Sequence, residues 1–198
     1  MKNKDKVGVR GFFRLQIEED GKIVGDSKWR ENQVVNNGIR DFLVDHIIGD
    51  SDNAQSITHL ALGTGSAPAS NGTDLEGEIE DASNSRKAVT TSIVGSRTAQ
   101  FTGQFASSDE FVSEAHNISN VGLFNSSETS AGSLFAGNTY TSSSLNTNQN
   151  VNVTWKITRQ LLATVVSKFR KFMGNLSEII MSQAQFGKVQ RLETELPL

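Results

Sequence analysis

The sequence NVNVTWKIT at residues 150–158 alternates apolar and polar side chains more regularly than any other stretch of the chain. Val151, Val153, Trp155 and Ile157 fall on one face, because successive side chains of a β-strand point to opposite sides. A helix would spread these same residues around its axis. The period of two therefore predicts a strand with one face buried in a core.

Similar but shorter patterns precede this strand, each bounded by polar turn residues. Residues 7–18 and 22–35 flank Asp20-Gly21, a pair that is typical of tight hairpin turns. Further strands are predicted at residues 57–62, 86–95, 97–106, 117–125 and 132–140. Many short strands separated by polar turns are typical of antiparallel sandwiches and barrels. We predict a mainly β fold, an antiparallel β-sandwich or barrel-like domain.

Two stretches carry a helical pattern instead. Apolar residues at three- and four-residue spacing predict a short N-terminal helix at about 37–48, capped by residues 36–38 and ended by Gly49. A C-terminal amphipathic helix is predicted at about 161–186. Its apolar stripe is a candidate interaction surface that includes Leu162, Val166, Phe169, Met173, Leu176 and Ile180. The alternative is that this stripe packs on the chain's own β domain.

These patterns predict three parts of the chain. Residues 1–35 form an N-terminal hairpin or arm, and residues 36–158 form a β-sandwich-like core domain. Residues 159–198 form a helix and tail for docking or oligomerisation. An arm of this kind is suited to pairing with the sheet edge of a neighbouring protein.

Composition narrows the classes of function. The net charge of -3 provides no basic field, so neither nucleic acid nor an anionic membrane is expected as a partner. The chain has no cysteine, which excludes disulfides and thiolate metal sites. Charged residues interrupt its longest apolar stretch, and the apolar core of a secretory signal is missing. We therefore expect a protein that is soluble when made.

No constellation of catalytic or ligand-binding residues is recognisable. Residues 63–68 begin like a dinucleotide fingerprint, but Pro68 stands where the third glycine should be. The three histidines are not at metal-ligand spacing from one another. The acidic run at 74–81 lacks the spacing of a dedicated calcium loop, which favours a solvated face but leaves cation binding open. We predict no catalytic residues, no cofactor and no metal site.

Several short motifs follow one another in the order of a known family. The first is Asn36-Asn37-Gly38 with the helix after it, followed by ITHLALGTG at 57–65 with Ala67-Pro68. Then come Thr73-Asp74-Leu75 with Glu78, Arg86, VGLFN at 121–125, GSLFA at 132–136 and VNVTW at 151–155. This series resembles the N-terminal attachment region of tail-collar fibre proteins of tailed bacteriophages and covers roughly residues 28–158. The resemblance implies a structural role for the motif residues His59, Gly63, Gly65, Pro68, Gly122 and Phe124.

The resemblance also implies what the chain does. It implies a non-enzymatic structural component of a phage virion, at the tail, baseplate, neck or fibre attachment, assembled in the host cytoplasm. Its partners would be other virion proteins and further copies of itself, since such parts sit on symmetric platforms. Two alternatives stay open: a capsid decoration or head-fibre protein, and a receptor- or carbohydrate-binding module.

Overall fold

A computed structural model describes residues 8–160, except residues 51, 53, 82–84 and 130. It confirms the predicted mainly β, antiparallel fold. The strands are β1 (Gly8–Glu19), β2 (Lys22–Asp26), β3 (Arg30–Val34), β4 (His59–Gly63), β5 (Lys87–Ala88), β6 (Thr90–Val94), β7 (Thr98–Phe105), β8 (His116–Phe124), β9 (Leu134–Leu145) and β10 (Asn150–Gln160). A single turn of 3-10 helix, Ser107–Asp109, follows β7.

One sheet contains all ten strands and closes almost completely into a barrel. The strand order is β5-β4-β8-β9-β3-β1-β10-β7-β6, with β2 also paired to β1. Its two ends, β5 and β6, are consecutive pieces of the segment 87–94. Lys87–Ala88 pairs with β4, whereas Thr90–Val94 pairs with β7. Between them, the Val89 N–H donates to the Thr58 carbonyl oxygen at 2.9 Å. One segment therefore bridges the two ends of the sheet.

The predicted N-terminal hairpin is present and belongs to the barrel. Asp20 and Gly21 have φ values of 48° and 73° and form the turn between β1 and β2. β1 lies in the middle of the strand order, between β3 and β10. Val9–Arg159 form one compact unit, so the hairpin is not a separate arm.

The predicted short helix is confirmed in three consecutive pieces. They are α1 (Asn36–Ile39), a π-helical turn (Arg40–Val44) and α2 (Asp45–Ile48), and Gly49 ends them with φ 75°. The expected side-chain cap at residues 36–38 was wrong, because Val35 takes the N-cap position without a side-chain hydrogen bond. Gly38 serves packing instead, since a Cβ there would lie 2.1 Å from the Phe135 carbonyl oxygen.

The main core fills the barrel interior. Val151, Val153 and Trp155 are fully buried, which confirms the face predicted from their alternation, and Phe13 stacks on Trp155 at 5.2 Å. Burying each large apolar side chain contributes about 1.5–3 kcal/mol. The predicted C-terminal helix at about 161–186, with all six candidate interaction residues, lies outside the described residues.

Candidate functional site

The motif residues converge on the outward side of β4, β8 and β9, here called the outer face. On these strands Leu60, Leu62, Val121 and Leu123 point into the barrel core. The alternate positions point outward, and those in the middle of β4 and β8 are small, since Ala61 pairs with Gly122. Gly63 pairs with Asn120, and the larger Phe124 pairs with His59. The loop of residues 64–81, here called the cover loop, packs against this outer face. Gly63 therefore lies beneath the cover loop, whereas Gly65 and Pro68 belong to that loop.

The glycines allow backbone to approach backbone. A Cβ at Gly63 would lie 2.9 Å from the Gly77 carbonyl oxygen, and one at Gly65 would lie 2.4 Å from the Glu76 carbonyl oxygen. Contacts below 3.0 Å require the neighbouring atoms to move. The space is used by hydrogen bonds, as the Gly65 N–H donates to the Glu76 carbonyl at 3.1 Å. Glycine at these positions is thus required by close packing.

Pro68, Gly122 and Phe124 belong to the same arrangement. A Cβ at Gly137 would lie 2.8 Å from the Pro68 ring, and one at Gly122 would lie 3.0 Å from Phe124 and from Leu134. A second small core lies here, formed by Val35, Ala61, Leu75, Phe124 and Leu134. The structure therefore brings together on one face residues that the sequence spreads from position 63 to position 124.

Asn120 ties the cover loop to β8, and sequence reasoning missed it. Its side chain is fully buried, and its amide nitrogen donates to the Ser66 carbonyl at 3.0 Å and to the Glu76 carbonyl at 2.9 Å. The neighbouring Ser119 hydroxyl donates to the Gly65 carbonyl at 2.8 Å. The sequence offered one signal, since Asn120 directly precedes the apolar run VGLF. An amide that is buried with such a run needs a hydrogen-bond partner.

Arg86 and Glu78 form a buried ion pair at the edge of this face. The Arg86 Nε and Nη2 atoms donate to the two Glu78 carboxylate oxygens at 2.7 and 3.0 Å. The guanidinium also donates to the Ala131 carbonyl at 2.9 Å and lies 3.6 Å from the centroid of the Phe124 ring. These acceptors pair with the N–H donors of the planar guanidinium group, and they join the loop of Glu78 to the loop of Ala131. The sequence contained both residues, but their pairing came from the fold.

His59 is half-buried on β4. Its Nδ1 atom lies 2.8 Å from the Thr58 hydroxyl. Burial, and then the positive charge of Arg86, lower the pKa of the His59 imidazole. Both effects favour the neutral ring.

Asp81, Ser113 and His116 form a cluster that resembles a catalytic triad only in composition. The same Asp81 oxygen accepts hydrogen bonds at 2.8 Å from the Ser113 N–H, the Ser113 hydroxyl and His116 Nε2. These bonds lower the pKa of Asp81 to about 2, with the Ser113 N–H as the largest cause. A triad instead passes the serine proton to the histidine. Here both groups bond to the carboxylate, so the cluster clamps two loops.

The acidic cover loop is engaged with protein donors. Asp74 accepts a hydrogen bond from the Thr73 hydroxyl at 2.7 Å, and Glu76 accepts from the Ser66 N–H at 3.0 Å. Glu78 and Asp81 are bonded as described above. Within the described ranges, no three acidic or histidine side chains gather as metal ligands would. The described helical pieces are also too short and polar to traverse a bilayer.

Apolar side chains also reach the surface outside this face. On β6, Ile93 is 84% exposed and Val94 is 43% exposed. Trp29, between β2 and β3, is 43% exposed, and the Lys156 ammonium lies 4.7 Å from its ring centroid. Smaller exposed groups are Ile23 and Val24 on β2, and Ile39, Leu43 and Val44 on the helical pieces. Exposed apolar groups of this kind are candidates for protein contacts.

Comparison with known proteins found no relative of the chain. No family model matches the sequence, and no curated protein and no solved structure matches it.

Proposed function

We propose that this chain is a non-enzymatic structural component of a tailed-phage virion that acts through protein–protein contacts at the tail, baseplate, neck or fibre attachment. The observation that carries the proposal is the packing of the motif residues. Gly63, Gly122 and Phe124 lie on the outer face against the cover loop, and Gly65 and Pro68 belong to that loop, so together they shape the scaffold. This use agrees with the role implied by the resemblance to tail-collar fibre proteins.

The charges and reactive groups of the described barrel support the same proposal. The buried arginine and the Asp81 carboxylate are held by groups that join loops to one another. A reactive centre would instead need charged groups aimed into a cleft. The proposal therefore includes the absence of enzymatic activity. Reproducible release of reducing ends from host polysaccharides by the purified chain would contradict that part.

The proposed location is tested on virus particles. An antibody raised against the purified chain should label the tail region of intact virions in negative-stain electron micrographs. Label confined to the head would favour a capsid decoration or head-fibre protein instead. Particles that carry no label and no trace of the chain by mass spectrometry would overturn the proposal.

One observation favours a second candidate, a receptor- or carbohydrate-binding module. Trp29 is the exposed one of the chain's two tryptophans, whereas Trp155 is fully buried. Aromatic rings with nearby polar groups are common in ligand sites, although Lys156 lies over this ring. Titration with host polysaccharide should change the tryptophan fluorescence if this candidate is right. The change should vanish in Trp29→Ala, and no change in the unaltered chain would eliminate the candidate.

A further inference from the structure

Three buried polar side chains of the barrel make no hydrogen bond to protein. Asn32 and Tyr140 are each 8% exposed, and Trp155 is fully buried. Within the part of the chain that the structure describes, the two polar atoms of the Asn32 amide, the Tyr140 hydroxyl and the Trp155 Nε1 atom have no partner. The large majority of buried polar side-chain atoms in folded proteins are hydrogen-bonded, so a partner is expected for each of these groups.

The three side chains surround two neighbouring buried positions of β1, Gly11 and Phe13. Asn32 on β3 is directly opposite Gly11, where its amide occupies the place of a Cβ. The Tyr140 ring on β9 meets Phe13 edge-on at 6.3 Å between centroids, and the Trp155 ring on β10 stacks on Phe13 at 5.2 Å. β9, β3, β1 and β10 are consecutive in the sheet. The unpaired groups are therefore gathered on one wall of the barrel interior.

The bonding capacity of these groups defines what their partner must do. The indole N–H of Trp155 is a donor only, whereas the Asn32 amide has both donors and acceptors. Burial raises the pKa of the Tyr140 hydroxyl, which therefore keeps its proton and remains a donor. The partner must accordingly accept hydrogen bonds from Trp155 and Tyr140, and both donate to and accept from Asn32.

The surroundings identify that partner as water. Phe13, Tyr140 and Trp155 belong to the main core, whose residues carry no charge, so an ion would be buried there without a counter-ion. The groups are enclosed, which favours a very small molecule. Water is small and uncharged, and it both donates and accepts. Buried water typically makes two to four hydrogen bonds to polar groups that have no protein partner.

We propose that the barrel interior contains a water-binding site beside Phe13, formed by Asn32, Tyr140 and Trp155. Water in this site completes the hydrogen bonding of side chains from β3, β9 and β10, and it thereby joins three strands through the core. The site goes beyond the proposed function and does not depend on it. Virion labelling and the hydration of the barrel are measured separately, so either can fail without the other.

Removing the Tyr140 hydroxyl tests the site by the sign of its effect. Tyr140→Phe keeps the ring and deletes only the oxygen. Because the hydroxyl is bonded to water, the unfolding equilibrium constant of the full chain should rise by roughly fivefold or more in urea denaturation. A buried hydroxyl without a partner predicts the opposite sign, since its removal relieves an unpaired polar group. An unchanged or lower constant would overturn the proposal.

The two tryptophans allow a direct measurement with an internal control. In the ¹⁵N-labelled full chain, the indole N–H of Trp155 should show a nuclear Overhauser effect to water with the sign of bound water. Trp29, which is 43% exposed, should show only the effect of bulk water. Trp29→Phe removes one of the two indole signals and so assigns both. A Trp155 signal without contact to bound water would refute the site.

Discussion

The two sides of β4, β8 and β9 are built on opposite principles. The inward side carries bulky residues such as Leu60 and Leu123, which fill the barrel. The middle of the outward side carries Ala61, Gly63 and Gly122, and the cover loop, which directly follows β4, fills the space. The same strands therefore pack large side chains on one side and, on the other, combine a few large side chains with small residues that admit backbone. The first kind is stabilised by apolar area, whereas the second needs hydrogen bonds and ion pairs to hold its cover.

The largest effect should come from breaking the ion pair beside the outer face. Arg86→Met removes the partner of the buried Glu78 carboxylate. We expect a loss of about 3–5 kcal/mol in the free energy of unfolding, because an unpaired buried charge remains. Urea denaturation measures the loss. As a control, Arg10→Met breaks the exposed pair with Glu31 and should cost about 0–1 kcal/mol. Equal losses would show that Arg86 does not hold the cover in place.

Removing bulk from the inward side should have the next largest effect. Leu123→Ala leaves a cavity in the barrel core, where Leu123 is fully buried. The expected loss in the free energy of unfolding is about 2–5 kcal/mol, measured by the same denaturation. The cover loop should keep its protection from hydrogen exchange at low denaturant. Selective loss of that protection would contradict the separation of the two sides.

Adding bulk to the outward side should cost less. Gly63→Ala places a Cβ against the Asn120 side-chain oxygen and 2.9 Å from the Gly77 carbonyl oxygen, so Asn120 and the cover loop that it holds have to move. Overpacking of this kind costs about 1–3 kcal/mol. We expect faster hydrogen exchange and proteolysis within residues 64–81. Gly25→Ala is the control, since its Cβ would meet only the Ile17 side chain, at 3.3 Å. A cover loop unchanged by Gly63→Ala would refute the packing role of this glycine.

The smallest effect concerns the Asp81 clamp at the end of the cover loop. Hydrogen bonds lower the pKa of Asp81 to about 2, below its value of about 3.9 in an unfolded chain. The clamp therefore stabilises the fold above pH 4 and is lost as the pH falls through 2. Because solvent screens this exposed group, we expect about 1 kcal/mol or less. The melting temperature of the unaltered chain should fall between pH 5 and pH 2 as the clamp is lost. The part of this fall that comes from Asp81 should be missing in Asp81→Asn. Identical pH profiles for the two proteins would contradict it.

Local patterns in the sequence predicted most of the strands. Residues 150–158 lie within β10, the Asp20-Gly21 turn is present, and Gly95 turns between β6 and β7 with φ 68°. The division of the predicted strand at 86–95 into β5 and β6 was not predicted. The segment divides because its pairing partner changes from β4 to β7. The pattern of residues within the segment does not indicate that change.

The candidate site was predicted as a set of residues without its arrangement. The resemblance selected Gly63, Gly65 and Gly122, but their shared reason, close approach of the cover loop, appears only when distant residues are in place. Asn120 was missed because its partners, the Ser66 and Glu76 carbonyl oxygens, are peptide groups of a distant loop and leave no mark in the local sequence.

By itself, the sequence determined which segments are strands, where they turn and which of their faces are apolar, because each of these depends on neighbouring residues and on backbone preferences. Only the tertiary structure decided which strands became neighbours, how segment 87–94 bridges the sheet, and why Arg86 meets Glu78 beneath the loops. Those outcomes depend on contacts between residues far apart in the chain, and their energies exist only once the barrel has formed.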